Sequence, residues 1–280
     1  MVKKLFFLIF LSTSAVYTFA QTTTTQTKTS IKDQKKQERK ERINKQIKLE
    51  EEGALVYSKQ SAFAFKLNTD GWGAFYEHGK YKTITNTGLW WLEMGEHKSP
   101  KEEKVTTGQN IGNGFILLGN PYIYGKRNNF YFLKAGIGSQ KLIGGKGNKN
   151  GVAVSAIYGG GIIAGYLKPY YISVKDSVTG NPTDIKYTDA TAVQFLDPDP
   201  TRVLGASGFT KGFGEGKFVP GAHARLAMRF DYGRYNEFLS ALEVGVNAEY
   251  YTKKMPIMAN NPEKQFFFNG YIAIEFGKRK

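Results

Sequence analysis

Phe218 to Tyr232 reads FVPGAHARLAMRFDY, and its two parities keep apart. The even positions are Phe218, Pro220, Ala222, Ala224, Leu226, Met228, Phe230 and Tyr232. The odd positions carry His223, Arg225, Arg229 and Asp231. Phe238 to Tyr251 repeats the pattern, with Leu242, Val244, Val246 and Tyr250 set against Glu243, Asn247 and Glu249. In Phe266 to Phe276, Phe266, Phe268, Ile272, Ile274 and Phe276 oppose Asn269 and Glu275. A side-chain period of two puts each set on its own face of an extended strand. Runs of ~11 to 15 residues exceed the ~5 to 6 usual for soluble strands and suit tilted strands that cross a bilayer. The faces then follow from the penalty of a slip. Leu226, Met228, Val244, Val246, Ile272 and Ile274 face lipid, while Arg225, Ala227, Gly245 and Ala273 face inward. A one-residue shift would put Arg225, Arg229, Glu243 and Glu275 into hydrocarbon, at roughly 2–4 kcal/mol for an Arg at the midplane.

The pattern extends upstream. Ser61 to Tyr81 has Phe63, Phe65, Leu67 and Phe75 on one parity, with Asn68 to Gly71 either a turn or a polar kink in one strand. Thr87 to His97 carries Trp90, Leu92 and Met94 on one face. Phe115 to Tyr124 and Phe130 to Leu142 flank Gly125 to Asn129 as a hairpin would. Val152 to Ile172 reads as one long strand in which Gly159-Gly160-Gly161 suggests a bulge or sharp coil. The expected fold is all-β: a single antiparallel transmembrane barrel of about eight strands, nine to ten if Asn68 to Gly71 is a turn, over residues 55–280. Ser173 to Lys217 becomes a long extracellular insertion with a helical turn at Thr191 to Leu196, and Gly233 to Tyr235 a short periplasmic turn.

Lys3 and Lys4, the apolar run Leu5 to Leu11 and the small-x-small Thr18-Phe19-Ala20 make residues 1–20 a signal peptide, with Gln21 first in the mature chain. Residues 21–54 form a Thr/Gln-rich, then Lys/Glu-rich lead-in, read as a solvated periplasmic helix or tether. There is no cysteine, which excludes a lipoprotein anchor, disulfides and thiolate metal sites. The mean hydropathy of -0.40 does not argue against a membrane barrel, because only alternate residues meet lipid. The net charge of +15 fits anionic lipid and lipopolysaccharide phosphate as partners. Export makes nucleic acid an unsuitable one.

Several stretches resemble a family of small outer-membrane β-barrel proteins of Bacteroidota whose role is generally unassigned. They are KLNTDGWGAFYEHGK at Lys66 to Lys80, KSPKEEK at Lys98 to Lys104, YGKRNNFYFLKAGIG at Tyr124 to Gly138, GGKGNKNGVAV at Gly144 to Val154, YLKPYY at Tyr166 to Tyr171, GASGFTKGFGE at Gly205 to Glu215 and the closing FGKRK. They span most of residues 61–280. The resemblance implies a barrel in the outer membrane and no transferable activity. Phe276 is followed by four more residues, so the terminal aromatic that barrel assembly reads is displaced.

An eight-stranded barrel has an interior only wide enough for side chains, so charges there must pair. The expected lumen network is Lys134, Arg225, Arg229, Glu243, Glu249 and Glu275, joined by Lys66, Asn68, Asp70, His223 and Asp231. A three-residue turn at Gly233 would set Arg225 opposite Glu243. Catalysis is not expected. The three histidines, His78, His97 and His223, lack a spaced nucleophile, and Gly205-Ala-Ser-Gly208 is not the G-x-S-x-G turn. Gly144 to Gly151 lacks the Lys-Ser/Thr of a phosphate-binding loop and reads as a basic turn. Asp197, Asp199 and Thr201 make a weak Ca²⁺ candidate interrupted by prolines. No cofactor is expected. The reading is a structural or interaction component, such as an accessory subunit of an envelope complex, with protein partners at the insertion or the lead-in. The alternatives are a narrow channel or small-solute transporter and, behind it, a lipid-modifying enzyme.

Overall fold

The computed structural model describes residues 33–41, 43–44, 57–83, 85–112, 115–147, 151–176, 179–196, 202–233 and 237–280. The chain divides into two compact units, Met1–Ile47 and Lys48–Lys280. In the first, residues 33–41 and 43–44 are helical and exposed. The expected signal peptide and the remaining residues of the expected lead-in lie outside the described residues.

The second unit is built on eight long strands: β1 (Lys59–Asn68), β2 (Gly71–Thr83), β3 (Asn86–His97), β4 (Asn128–Gly144), β5 (Ala153–Pro169), β6 (Lys217–Asp231), β7 (Phe238–Met255) and β8 (Lys264–Arg279). Each pairs antiparallel with its neighbours along the chain, and β1 closes on β8 through pairs such as Phe63 with Phe276 and Lys66 with Ala273. Closure leaves no strand edge unpaired, so every barrel strand finds its backbone partners within the ring. The connections 69–70, 98–127, 170–216 and 256–263 lie at one end. The connections 84–85, 145–152 and 232–237 lie at the other, none of them as long as 98–127 or 170–216, and there Ser58 donates to the Lys280 carbonyl.

Eight strands form, but not the eight expected from the sequence. Ser61 to Tyr81 is two strands joined by a tight turn at Thr69 and Asp70, and Phe115 to Tyr124 lies outside the ring. Gly71 makes that turn possible: its φ is +153°, and a Cβ there would sit 1.9 Å from the Glu96 carbonyl oxygen. Residues directly opposite in a ladder share a face, and Leu67 pairs with Trp72, so parity inverts across the turn. Phe63, Phe65 and Leu67 therefore point outward while Phe75 is buried inside. Phe115–Leu118 instead pairs with Gly108–Gly112, and Tyr122–Ile123 with Lys104–Val105. Gly125 to Asn129 is no hairpin: Lys126 bridges to Met258, and the Arg127 and Asn128 amides donate to the Ile257 carbonyl.

β5 stops at Pro169, which has no amide to donate, so the insertion begins at 170 rather than 173. It is folded. Tyr171–Lys175 pairs with Pro182–Lys186 and with Val203–Ala206, and a short helix spans Ala192–Phe195. Tyr122 from the 98–127 connection joins Ile172, Val174, Phe195 and Val203 in one buried cluster, so the two long connections share a core.

Gly159-Gly160-Gly161 forms no bulge; both ladders of β5 run through it in register. The inward-facing glycines make room for Trp91. A Cβ on Gly136 would lie 2.4 Å from the Trp91 ring, and one on Gly159 2.8 Å from it. Phe75, Leu89, Trp91, Ile157, Tyr271 and Ala273 pack as the main interior apolar cluster.

Candidate functional site

The alternation seen in the sequence becomes an inverted molecule. Leu67, Ile137 and Ile162 on the outer wall are 72%, 73% and 72% exposed, whereas Arg229, Glu243 and Glu275 inside are 0% exposed. Leu226, Met228, Val244, Val246, Ile272 and Ile274 lie on the outer wall, and Arg225, Ala227 and Ala273 are buried within.

The middle of the interior is organised by two guanidinium groups. Arg225 Nε lies 3.1 Å from Glu243 Oε1 and 2.9 Å from the Tyr271 hydroxyl, and its Nη2 also donates to Glu243. Arg229 Nη2 is 2.9 Å from Glu243 and 2.8 Å from Glu77, and its Nε is 3.0 Å from Glu275. Arg225 Nη1 approaches Glu77 at 3.5 Å, with the guanidinium carbon 4.6 Å from the Phe75 ring centroid. Arg229 also donates to Gln140, which accepts from Gln60 at 2.8 Å. The register differs from expectation: Arg229, not Arg225, stands directly opposite Glu243, and Arg225 is paired with Asn247. The connection is longer than three residues, which shifts the ladder by four. An even shift keeps both residues on the same face, so Arg225 still reaches Glu243 diagonally.

Toward the long-loop end, Lys66 and Lys134 hold Glu93 at 2.9 and 3.2 Å, and Lys134 holds Glu249 at 2.8 Å. His97 bridges Glu249 and Asp70, each at 2.9 Å. Tyr251 donates to Glu249 at 2.9 Å. Phe130, Phe132, Tyr251 and Met255 lie in the buried apolar cluster on this side. Near the opposite end, Arg279 and Lys146 both engage Asp231. His223 is buried beside Trp91, ring centroids 5.9 Å apart.

The six sequence-identified residues Lys134, Arg225, Arg229, Glu243, Glu249 and Glu275 thus lie inside, in two linked clusters. Sequence reading missed Glu77, Glu93, His97, Gln140 and Tyr271. The signal for Glu93 and His97 was present, since both oppose the Trp90, Leu92, Met94 face. For Glu77 it was hidden by the parity inversion at Gly71. Such a constellation can hold the wall rigid and fill it with paired charge, because buried ions left single carry a penalty of several kcal/mol.

Ser61 Oγ and His78 Nδ1, cross-strand neighbours on the outer wall, are 2.9 Å apart. Among the described residues no carboxylate bonds to His78, so the orienting third member of a triad is not formed there. Among the described residues no group of His, Asp and Glu has metal-binding geometry. Residues 197–201, with the Asp197, Asp199 and Thr201 candidate, lie outside the described residues.

At the long-loop end the folded connections are tied by charge. Lys211 beside Asp184, with Ser173 and Ser207 also donating, holds that carboxyl below the ordinary aspartate range. Lys186 bonds Glu215, which also accepts from Tyr171 at 2.8 Å.

The class defined by this geometry is a small, eight-stranded, up-and-down antiparallel barrel with a charged interior. No protein-family model matches the chain, and no curated protein does. Among solved structures it is similar to neisserial surface protein A, with 8% identity over 79% of this chain and 96% of that one and a TM-score of 0.37. It is also similar to a major outer membrane protein from Thermus thermophilus, with 10% identity over 78% and 98% and a TM-score of 0.37. A third is Ail, the attachment invasion locus protein of Yersinia pestis, solved with the heparin analogue sucrose octasulfate: 8% identity, 80% and 100% coverage, TM-score 0.33.

Proposed function

We propose that the chain is an outer-membrane anchor that presents a folded platform, formed by 98–127 and 170–216, to a protein partner outside the cell. The inverted surface supports membrane insertion: a continuous apolar exterior around a charged interior suits a lipid solvent. The signal-like residues 1–20, the loop asymmetry and the resemblance to Bacteroidota barrels agree with the outer membrane, long loops outward and residues 21–54 in the periplasm. Lipid and lipopolysaccharide are the solvent, and lysines near the outer rim such as Lys98 and Lys264 suit its phosphates. The interior network serves as a rigid plug and carries no chemistry. The observation that carries the interaction role is the buried cluster of Tyr122, Ile172, Val174, Phe195 and Val203. Loops of this length with their own core are ordered surfaces, not linkers, and this one leaves Val193 88% and Phe209 69% exposed. A photo-crosslinking residue placed at 193 or 209 in cells should give a discrete protein adduct. A purified barrel that conducts ions in planar bilayers and forms no adduct would favour a channel instead.

A further inference from the structure

We infer that the outer wall carries a binding groove for one anionic phospholipid at the short-turn end, where β3, β4 and β5 meet. This rests on the membrane reading above. Lys80, Gly88, Ser139 and Tyr158 are consecutive partners across the β2, β3, β4 and β5 ladders. One step toward the long-loop end, Trp90 pairs with Ile137. Small residues at Gly88 and Ser139 therefore lie between larger outward side chains, and the result is a depression of about 610 Å³.

Its walls differ in chemistry. Trp90 and Tyr158 are half exposed and Ile137 more so, and these give an apolar upper part of acyl-chain character. Trp90 is fixed on its other side by Tyr76 and His78, at ring distances of 5.7 and 5.8 Å. At the lower rim stand Lys80 and Lys82, and the Lys82 chain lies across Gly88. Both lysines are exposed, and among the described residues neither has an acidic partner within ion-pairing distance. An apolar trough that ends in two unpaired ammonium groups at the water boundary matches an acyl chain followed by a phosphate. The Lys82 chain crosses the trough floor at Gly88, and Ser139 supplies a hydroxyl beside the headgroup. A leaflet phospholipid of net negative charge fits, and a zwitterionic one less well, because its own cation would meet the lysines.

Trp90 reports on its own groove. The full-length mature protein in a Trp72→Phe background, reconstituted into vesicles, leaves Trp90 as the groove tryptophan beside interior Trp91. Its fluorescence is quenched in turn by phosphatidylglycerol and by phosphatidylcholine brominated on the acyl chain. The groove predicts stronger quenching by the glycerol lipid at equal mole fraction. The preference should fall by about fivefold for each lysine removed in Lys80→Gln and Lys82→Gln. Gly88→Leu, which fills the trough where the Lys82 chain now crosses it, should abolish the preference. Equal quenching by both lipids in the unaltered groove overturns the site while leaving the membrane reading intact. Preference kept in the double lysine variant overturns it as well. Preference kept in Gly88→Leu shows a charge effect without a groove. Quenching by neither lipid overturns the membrane reading and the groove together.

Discussion

Replacing Glu243 with leucine tests the interior network where its connections are densest. Glu243 is fully buried and serves Arg225, Arg229 and the Tyr271 hydroxyl at once. The two arginines are not left equally exposed by its loss. Arg229 keeps Glu77 at 2.8 Å and Glu275 at 3.0 Å, whereas Arg225 keeps only Glu77 at 3.5 Å and the tyrosine oxygen. The penalty therefore falls mainly on Arg225, a buried cation without a close carboxylate, and the expected loss is roughly 3–5 kcal/mol. Removing that cation as well, in Arg225→Met with Glu243→Leu, should recover much of it, because methionine fills the same volume beside Phe75 and Trp91 without a charge. Urea titration of folding into lipid vesicles, followed by tryptophan fluorescence and by gel mobility without boiling, gives the free energies of the parent, Glu243→Leu, Arg225→Met and the double variant. A double variant as unstable as the sum of the singles would refute the pairing. So would a Glu243→Leu protein within about 0.5 kcal/mol of the parent.

Gly136→Val should destabilise the barrel by about 1–3 kcal/mol in the same titration, because its side chain enters space held by Trp91; Trp91→Ala in that background should relieve part of the strain. Asp184 has a depressed folded-state pKa, so its contribution to loop order is present above the ordinary carboxylate range near ~3.9 and is lost as pH falls through the lower folded value. Limited proteolysis on acidification should accordingly open the 170–216 connection while the strands stay protected, and Lys211→Met should bring that opening to higher pH. Intact mass of the exported protein should correspond to a chain starting at Gln21; a retained Met1 would contradict the signal-peptide reading.

The last three strands were legible because the runs Phe218 to Tyr232, Phe238 to Tyr251 and Phe266 to Phe276 each carry charge on one parity only. Their faces, and with them Arg225, Arg229, Glu243, Glu249 and Glu275, followed from the cost of a slip. The first half of the barrel was harder. Asn68 to Gly71 read equally as a turn or as a polar kink, and the turn that forms at Thr69-Asp70 inverts parity, so Phe75 was grouped with Phe63, Phe65 and Leu67 although it faces the other way. Phe115 to Leu118 has strand composition, yet it pairs within its own loop, and pairing partners are not encoded in a local pattern. The correct strand total came from one strand missed and one wrongly included. Exact register depends on loop length through a connection whose ends are both polar, which is why Arg225 was set four residues from its true ladder partner. A four-residue error does no harm to face assignment, since the period is two.

Whether the apolar wall meets lipid is the central claim for this barrel, and collision accessibility measures it directly. Single cysteines placed at 226, 244, 246 and 272 in this cysteine-free chain carry spin labels in bilayers. A further pair at 193 and 209 marks the outer platform. The four wall labels should collide freely with lipid-dissolved oxygen and hardly at all with a water-soluble nickel chelate, with the reverse at 193 and 209. Nickel access at 244 and 272 equal to that at 193 would mean that the wall is wet, and the barrel would then be a soluble one.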